Sequence, residues 1–142
     1  MPKRPRTACY WIYMLQCDDG SYYTGYTKNV ARRYRQHVDG SSGVRYTRTR
    51  RPVRIAQCWR LFSSVGTALK VESYIKRQSR PAKDRLVEWP DRLRPMASSA
   101  LGLRLRLYTT NPVVVEDRAR SLAPEAIKRG DDPFAGSPPG NL

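Results

Sequence analysis

Tyr10-Trp11-Ile12-Tyr13-Met14-Leu15-Gln16-Cys17, Asp18-Asp19-Gly20-Ser21 and Tyr22-Tyr23-Thr24-Gly25-Tyr26-Thr27 follow one another without a break. Two runs rich in aromatic, aliphatic and β-branched residues flank a cluster of turn formers, the pattern of a β-hairpin. The loop length decides which side chains share a face, because strand side chains alternate with period two. A two-residue Asp19-Gly20 turn would set Tyr13 opposite Tyr26 and send Tyr23 to the other face. A three-residue Asp18-Asp19-Gly20 loop, with Gly20 left-handed, would instead pair Cys17 with Ser21 and Tyr13 with Gly25. Tyr13 and Tyr23 then lie on one face, with Gly25 leaving space beside Tyr13 for water or a phosphate.

Outward from the hairpin, Asn29 is a suitable N-cap for a helix over about 30–39 that ends near Gly40. Ser41 to Pro52 lacks periodicity and reads as an exposed basic loop. A third strand is expected over Ile55–Phe62 and helices near 67–77 and 81–89, the first carrying Ala68, Leu69 and Ile75 on one stripe. Pro81 suits the first turn of the second helix, and Pro90 stops it. The fold class is α+β, a three-stranded antiparallel sheet flanked by helices in the order β-β-α-β-α-α, over residues 8–90. Residues 91–142 read as a C-terminal extension. Alternation through Leu103-Arg104-Leu105-Arg106-Leu107 suggests an edge strand within 103–110, and Pro and Gly accumulate in a tail expected to be disordered from about 130.

The chain has 142 residues and a formal charge of +15. Residues 1–90 hold 19 basic and 6 acidic side chains, whereas residues 91–142 hold 8 and 6, so the field belongs to the first two-thirds. Such an excess favours a polyanionic partner, nucleic acid before a membrane surface, although a basic surface also serves solubility alone. The basic start leads into an aromatic strand rather than an apolar signal core, and no apolar run is long enough to span a bilayer. The expectation is a soluble cytoplasmic protein. Cys9, Cys17 and Cys58 sit among aromatic and aliphatic residues and read as packing cysteines of a reducing compartment. With a single histidine they match no zinc spacing.

Trp11-Ile12-Tyr13, then Tyr23-Thr24-Gly25, then Arg33, then Glu72 in a later helix, form an ordered set that resembles the GIY-YIG nuclease domain, in particular its small standalone bacterial branch. Cys17-Asp18-Asp19-Gly20-Ser21, Arg32-Arg33, His37, Tyr46-Thr47-Arg48 and Arg51-Pro52 extend the likeness over roughly residues 8–88. Trp11 replaces the first motif's glycine and Thr24 the second motif's isoleucine. The resemblance implies a metal-dependent endonuclease that hydrolyses phosphodiester bonds, with Tyr13, Tyr23, Arg33 and Glu72 as catalytic residues. Glu72 would hold one Mg²⁺ or Mn²⁺. Tyr13 is favoured as base, assisted by Tyr23, provided that nearby cations lower its pKa. Tyr26 stands where some relatives carry a basic or imidazole side chain.

The residues themselves bear on this reading. Arg33 and His37 lie one helical turn apart on one side, where an arginine can grip phosphate oxygens bidentately. His37 either contacts the nucleic-acid backbone or only fixes the helix. Glu72 falls three residues from both Leu69 and Ile75, so its carboxylate points inward, which is costly without a cation or donor. The plainer alternative is a carboxylate at the stripe's margin or in an ion pair. Tyr26, Lys28, His37, Arg45, Tyr46, Arg48, Arg50 and Arg51 are the expected nucleic-acid contacts, although a solvated basic loop has the same composition. No base-reading module is evident. Structure selectivity or low sequence specificity is therefore expected, with DNA favoured over RNA as the substrate, in DNA repair or processing. The alternative is a weakly active or non-catalytic nucleic-acid-binding module of the same fold. Either way, affinity for nucleic acid should fall steeply as salt rises from about 50 to 200 mM, because phosphate neutralisation releases counterions. A titration showing salt-independent affinity would contradict it.

Overall fold

The computed structural model describes residues 7–40, 47 and 49–138. The elements in chain order are β1 (Ala8–Cys17), β2 (Tyr22–Thr27), α1 (Val30–Asp39), β3 (Pro52–Ser63), α2 (Val65–Lys76) and α3 (Arg80–Glu88). A 3₁₀ turn (Pro90–Arg92), α4 (Leu93–Leu101), β4 (Leu107–Thr109), α5 (Pro112–Ser121) and α6 (Pro124–Arg129) follow. The hairpin takes the three-residue loop. Gly20 has φ +83°, Cys17 N–H donates to Ser21 O at 2.8 Å and Gly20 N–H to Cys17 O at 2.9 Å. Only a residue without Cβ adopts that left-handed conformation at no steric cost. Tyr13 consequently faces Gly25, and Leu15 faces Tyr23.

The sheet is α+β in kind and antiparallel throughout, but it has four strands in the order β2-β1-β3-β4, not three. The added strand pairs Leu107 with Leu61, Tyr108 with Arg60 and Thr109 with Trp59. The physical reason lies in β3, whose edge away from β1 would otherwise leave backbone groups at Trp59–Leu61 without a partner strand; β3 itself runs three residues earlier and one later than Ile55–Phe62. Within the 103–110 stretch only Leu107–Thr109 is strand. β1 and β3 shift register between Met14 and Leu15, Met14 pairing Gln57 and Leu15 pairing Ile55. Glu116 Oε1 accepts a hydrogen bond from Ile55 N–H beside that irregularity, at 2.6 Å.

Alternation divides the core into two layers. Tyr10, Ile12 and Met14 point to one face and pack with Ala68, Val71 and Ile75 of α2, Leu86 of α3 and Leu93 and Ala97 of α4. Trp11, Tyr13 and Leu15 point to the other and pack with Val30, Ala31 and Tyr34 of α1 and with Val115 and Ala119 of α5. Residues after 90 thus enter both layers. They also hold α1 by polar contacts. Arg35 Nη1 donates to the carbonyls of Ala119 at 3.2 Å and Leu122 at 3.0 Å, and Arg120 Nη2 donates to Tyr34 Oη at 2.7 Å. Asn29, which caps α1 by accepting from Arg32 N–H, donates to Gly130 O at 3.1 Å. Inside the tail expected to be disordered, Phe134 is 2% exposed and its ring lies 5.0 Å from that of Trp11.

No helix among the described residues is long and apolar enough to cross a membrane. Burial of Phe134 yields a direct test. Phe134→Ala should lower unfolding free energy by about 3 kcal/mol or more, as for other large-to-small core changes. Denaturant unfolding measures it, and an unchanged midpoint would show that the tail is not part of the core.

Candidate active site

Tyr13 anchors the candidate site. Its side chain is 2% exposed, and its ring extends toward β2 across Gly25. A Cβ placed at Gly25 would lie 2.4 Å from Tyr13 Oη and 2.6 Å from Cζ, so the glycine is required by the phenol itself. The space expected beside Tyr13 for water or phosphate is therefore filled by its own ring. Beyond Gly25, Tyr13 Oη lies 3.0 Å from His37 Nε2, and His37 Nδ1 lies 2.8 Å from Thr47 Oγ1. Tyr23 completes the cluster, its ring centroid 4.8 Å from that of His37 and 6.3 Å from that of Tyr13.

Arg33 lies one turn earlier than His37 on α1. Its positive charge bears on the Tyr13 phenol and favours the ionised form, and its Nη1 donates to Gln36 Oε1 at 2.9 Å. Glu72 comes from α2, on the opposite layer, close enough for its charge to bear on Tyr13. Sequence periodicity placed Glu72 inside an apolar stripe through Leu69. Leu69 is in fact 44% exposed, and the buried residues of α2 are Ala68, Val71, Tyr74 and Ile75. Glu72 flanks that stripe, with its side chain 13% exposed and in an ion pair with Lys76 at 3.0 Å. One carboxylate so placed suits a hard divalent ion bound otherwise by water and phosphate. Among the described residues no group of three metal-ligating side chains gathers.

Electrostatics set the protonation states. Burial pushes the Tyr13 phenol above its usual range, Tyr23 adds to this, and Arg33 offsets only part of it. In the free protein the condition expected of a tyrosine base, a lowered pKa, is not met. Burial, then the Arg33 charge, lowers His37 to about 4, so its imidazole is neutral at neutral pH. One ring nitrogen then carries a proton and the other accepts.

Not every expected residue comes to this cluster. Tyr26 projects to the opposite face, its ring 6.2 Å from Tyr10, and Lys28 Nζ lies over Tyr10 at 5.6 Å. Arg50 pairs with Asp19 at 3.1 Å, and Arg51 O accepts from Asp18 N–H, so both border the hairpin loop. Arg45, Tyr46 and Arg48 lie outside the described residues. Two features escaped the sequence reading. One is the hydroxyl of Thr47 on His37. The other is a bracket on the hairpin tip, in which Arg80 Nη1 donates to Gly20 O at 2.6 Å and Tyr22 Oη donates to Asp84 at 2.8 Å. The long separations, 10 to 62 residues, leave no local signal for either.

The depressed His37 pKa has a pH consequence. Unfolded, His37 takes a proton near 6.5; folded, only near 4. Its contribution to stability is therefore fully present above pH 6.5 and is lost as pH falls toward 4. Denaturation midpoints measured across that window should slope downward with acid in the parent protein and less steeply in His37→Gln. Equal slopes would assign the effect elsewhere.

Comparison with known proteins identifies the family. Residues 9–85, more than half of the chain, match the family model described as the GIY-YIG catalytic domain. A UPF0213 protein of Bacillus licheniformis is 43% identical over 84 residues, which span 58% of this chain and 82% of that protein. A UPF0213 protein of Natronomonas pharaonis is 45% identical over 80 residues, 56% of this chain and 92% of its own. Among solved structures, the solution NMR structure of a UPF0213 protein from Bacillus halodurans is 42% identical over 57% of this chain and 84% of that one, with a TM-score of 0.38. The chain belongs to the GIY-YIG catalytic domain family.

Proposed function

We propose that the chain is a divalent-metal-dependent endonuclease that hydrolyses phosphodiester bonds, with DNA as the favoured substrate and Mg²⁺ or Mn²⁺ as the ion. We assign it structure selectivity or low sequence specificity, in DNA processing or repair. The observation that carries this reading is the meeting of Arg33, His37 and Tyr23 around the hydroxyl of Tyr13, with the Glu72 carboxylate nearby. A buried phenol that holds both a cation and a neutral imidazole is an unusual expense for packing alone.

In this reading Arg33 binds non-bridging phosphate oxygens and stabilises the charge that grows on them as water attacks phosphorus and the bond to the 3′ oxygen breaks. Tyr13 orients the attacking water through its hydroxyl oxygen and takes the water's proton, while its own proton moves along the bond to His37 Nε2. The Thr47 hydroxyl, 2.8 Å from Nδ1, can accept from Nδ1–H in the tautomer this step requires, in which Nε2 accepts. Tyr13 lies above its ordinary pKa of 10 and His37 near 4, so in the free protein the proton rests on Tyr13; a phosphate beside His37 favours the protonated imidazole, and a cation held at Glu72 would favour the phenolate. Glu72 would hold the ion, which when bound would neutralise phosphate charge and lower the pKa of nearby acidic groups. Tyr23 packs on His37 and keeps its ring in line with Tyr13.

A second reading, a nucleic-acid-binding module with little activity, draws support from the burial of Tyr13 and its raised pKa. Two variants separate them. Glu72→Gln should abolish ion-dependent cleavage of branched and linear DNA while leaving DNA affinity nearly unchanged, because it removes a ligand with little change of volume. Arg33→Ala should lower kcat by about 100-fold or more, as loss of a transition-state donor does. Undiminished cleavage by Glu72→Gln would remove that residue from the mechanism.

A further inference from the structure

Among the described residues, Arg60 is the one large charge buried in the sheet. It lies in β3 between Trp11 of β1 and Tyr108 of β4, on the sheet face that carries Tyr13, and is 4% exposed. Its guanidinium sits 5.4 Å from the ring centres of both Trp11 and Phe62. None of the ion pairs among the described residues includes it. Instead Nη1 donates to Pro138 O and Nη2 to Ser137 O, each at 2.9 Å, and Nε is buried with no acceptor. A buried cation served by neutral carbonyls and ring faces, one donor short, has no anion to compensate it. An oxyanion would serve the fork better, since charge-assisted bonds to guanidinium are roughly twice as strong as neutral ones.

The surroundings specify the kind of anion. Phe62 and Tyr108, both half-buried, meet edge to face with centroids 5.8 Å apart. Arg106, which is exposed, lays its guanidinium 5.4 Å from the Phe62 ring. Aromatic rings on a sheet face beside arginines are the elements on which single-stranded polynucleotides stack bases and seat phosphates. The acceptors now on Arg60 belong to a terminal segment that is anchored further back, by Phe134 against Trp11. Ser137 and Pro138 can therefore leave without unseating that anchor.

We propose that Arg60, with Phe62, Arg106 and Tyr108, forms a second contact site for a single polynucleotide strand, and that the carbonyls of Ser137 and Pro138 occupy it in the free protein until a strand displaces them. The site rests on the reading of the chain as a nuclease of nucleic acid, and it makes Ser137 and Pro138 a competitive cover.

Deleting residues 137–142 and measuring the anisotropy of a labelled single-stranded DNA tests this. The deletion should tighten binding at least about fivefold, the low end of what one stacked base contributes. Adding Arg60→Gln to the deletion should erase that gain. Should the double variant fail to fold, Arg106→Ala in the deletion background is an exposed change that should also reduce the gain. Unchanged or weaker binding by a deletion variant with native circular dichroism overturns the proposal, as does a gain that survives both Arg60→Gln and Arg106→Ala. Ion-dependent cleavage by the full chain, lost in Glu72→Gln, reports on the nuclease reading separately. A protein that cuts DNA but ignores the deletion loses only the Arg60 site.

Discussion

The left-handed turn at Gly20 sets the hairpin register, and the candidate site depends on that register. One residue fewer in the loop would turn every side chain of β2 to the other face. Tyr23 would leave His37, and Tyr26 in place of Gly25 would stand where the Tyr13 ring now lies. The loop is secured from two sides, by Arg50 on Asp19 and by Arg80 on the Gly20 carbonyl. A backbone preference at a single glycine is thus converted into the relative position of two phenols.

Around that register the site uses burial against charge. Tyr13 and His37 are both kept neutral by their surroundings, and Arg33 remains the permanent cation beside them. Such a pair is quiet in isolation and sensitive to any further cation, because low-dielectric surroundings magnify added charge. Glu72 belongs to α2, which packs on the other layer of the molecule, and its charge still bears on Tyr13.

The family match ends at residue 85, yet later residues are woven into the same core. α5 bears on α1 through Arg120 and Tyr34 and receives Arg35 at its C-terminal carbonyls, where a guanidinium complements the helix dipole. The helix that carries Arg33 and His37 is therefore fixed from outside by a segment that the matched domain does not include. The same segment supplies β4, which covers part of the free edge of β3.

Short-range information was legible in the residues alone. The β-prone apolar run of Tyr10–Cys17, the Asn29 cap, and the one-turn spacing of Arg33 and His37 each follow from backbone and side-chain preferences within a few residues. These determined the hairpin, the helices and the two tyrosines as a pair, once the loop length was chosen. Tertiary structure alone decided that β4 joins β3, that Phe134 closes over Trp11, that Leu69 faces solvent while Glu72 flanks the core, and that His37 bonds Tyr13 and Thr47. Each of these is settled by which distant surface fills a gap or satisfies a donor. That depends on the packed whole, since neither a cavity nor an unpaired hydrogen-bonding group exists until the chain has folded around it.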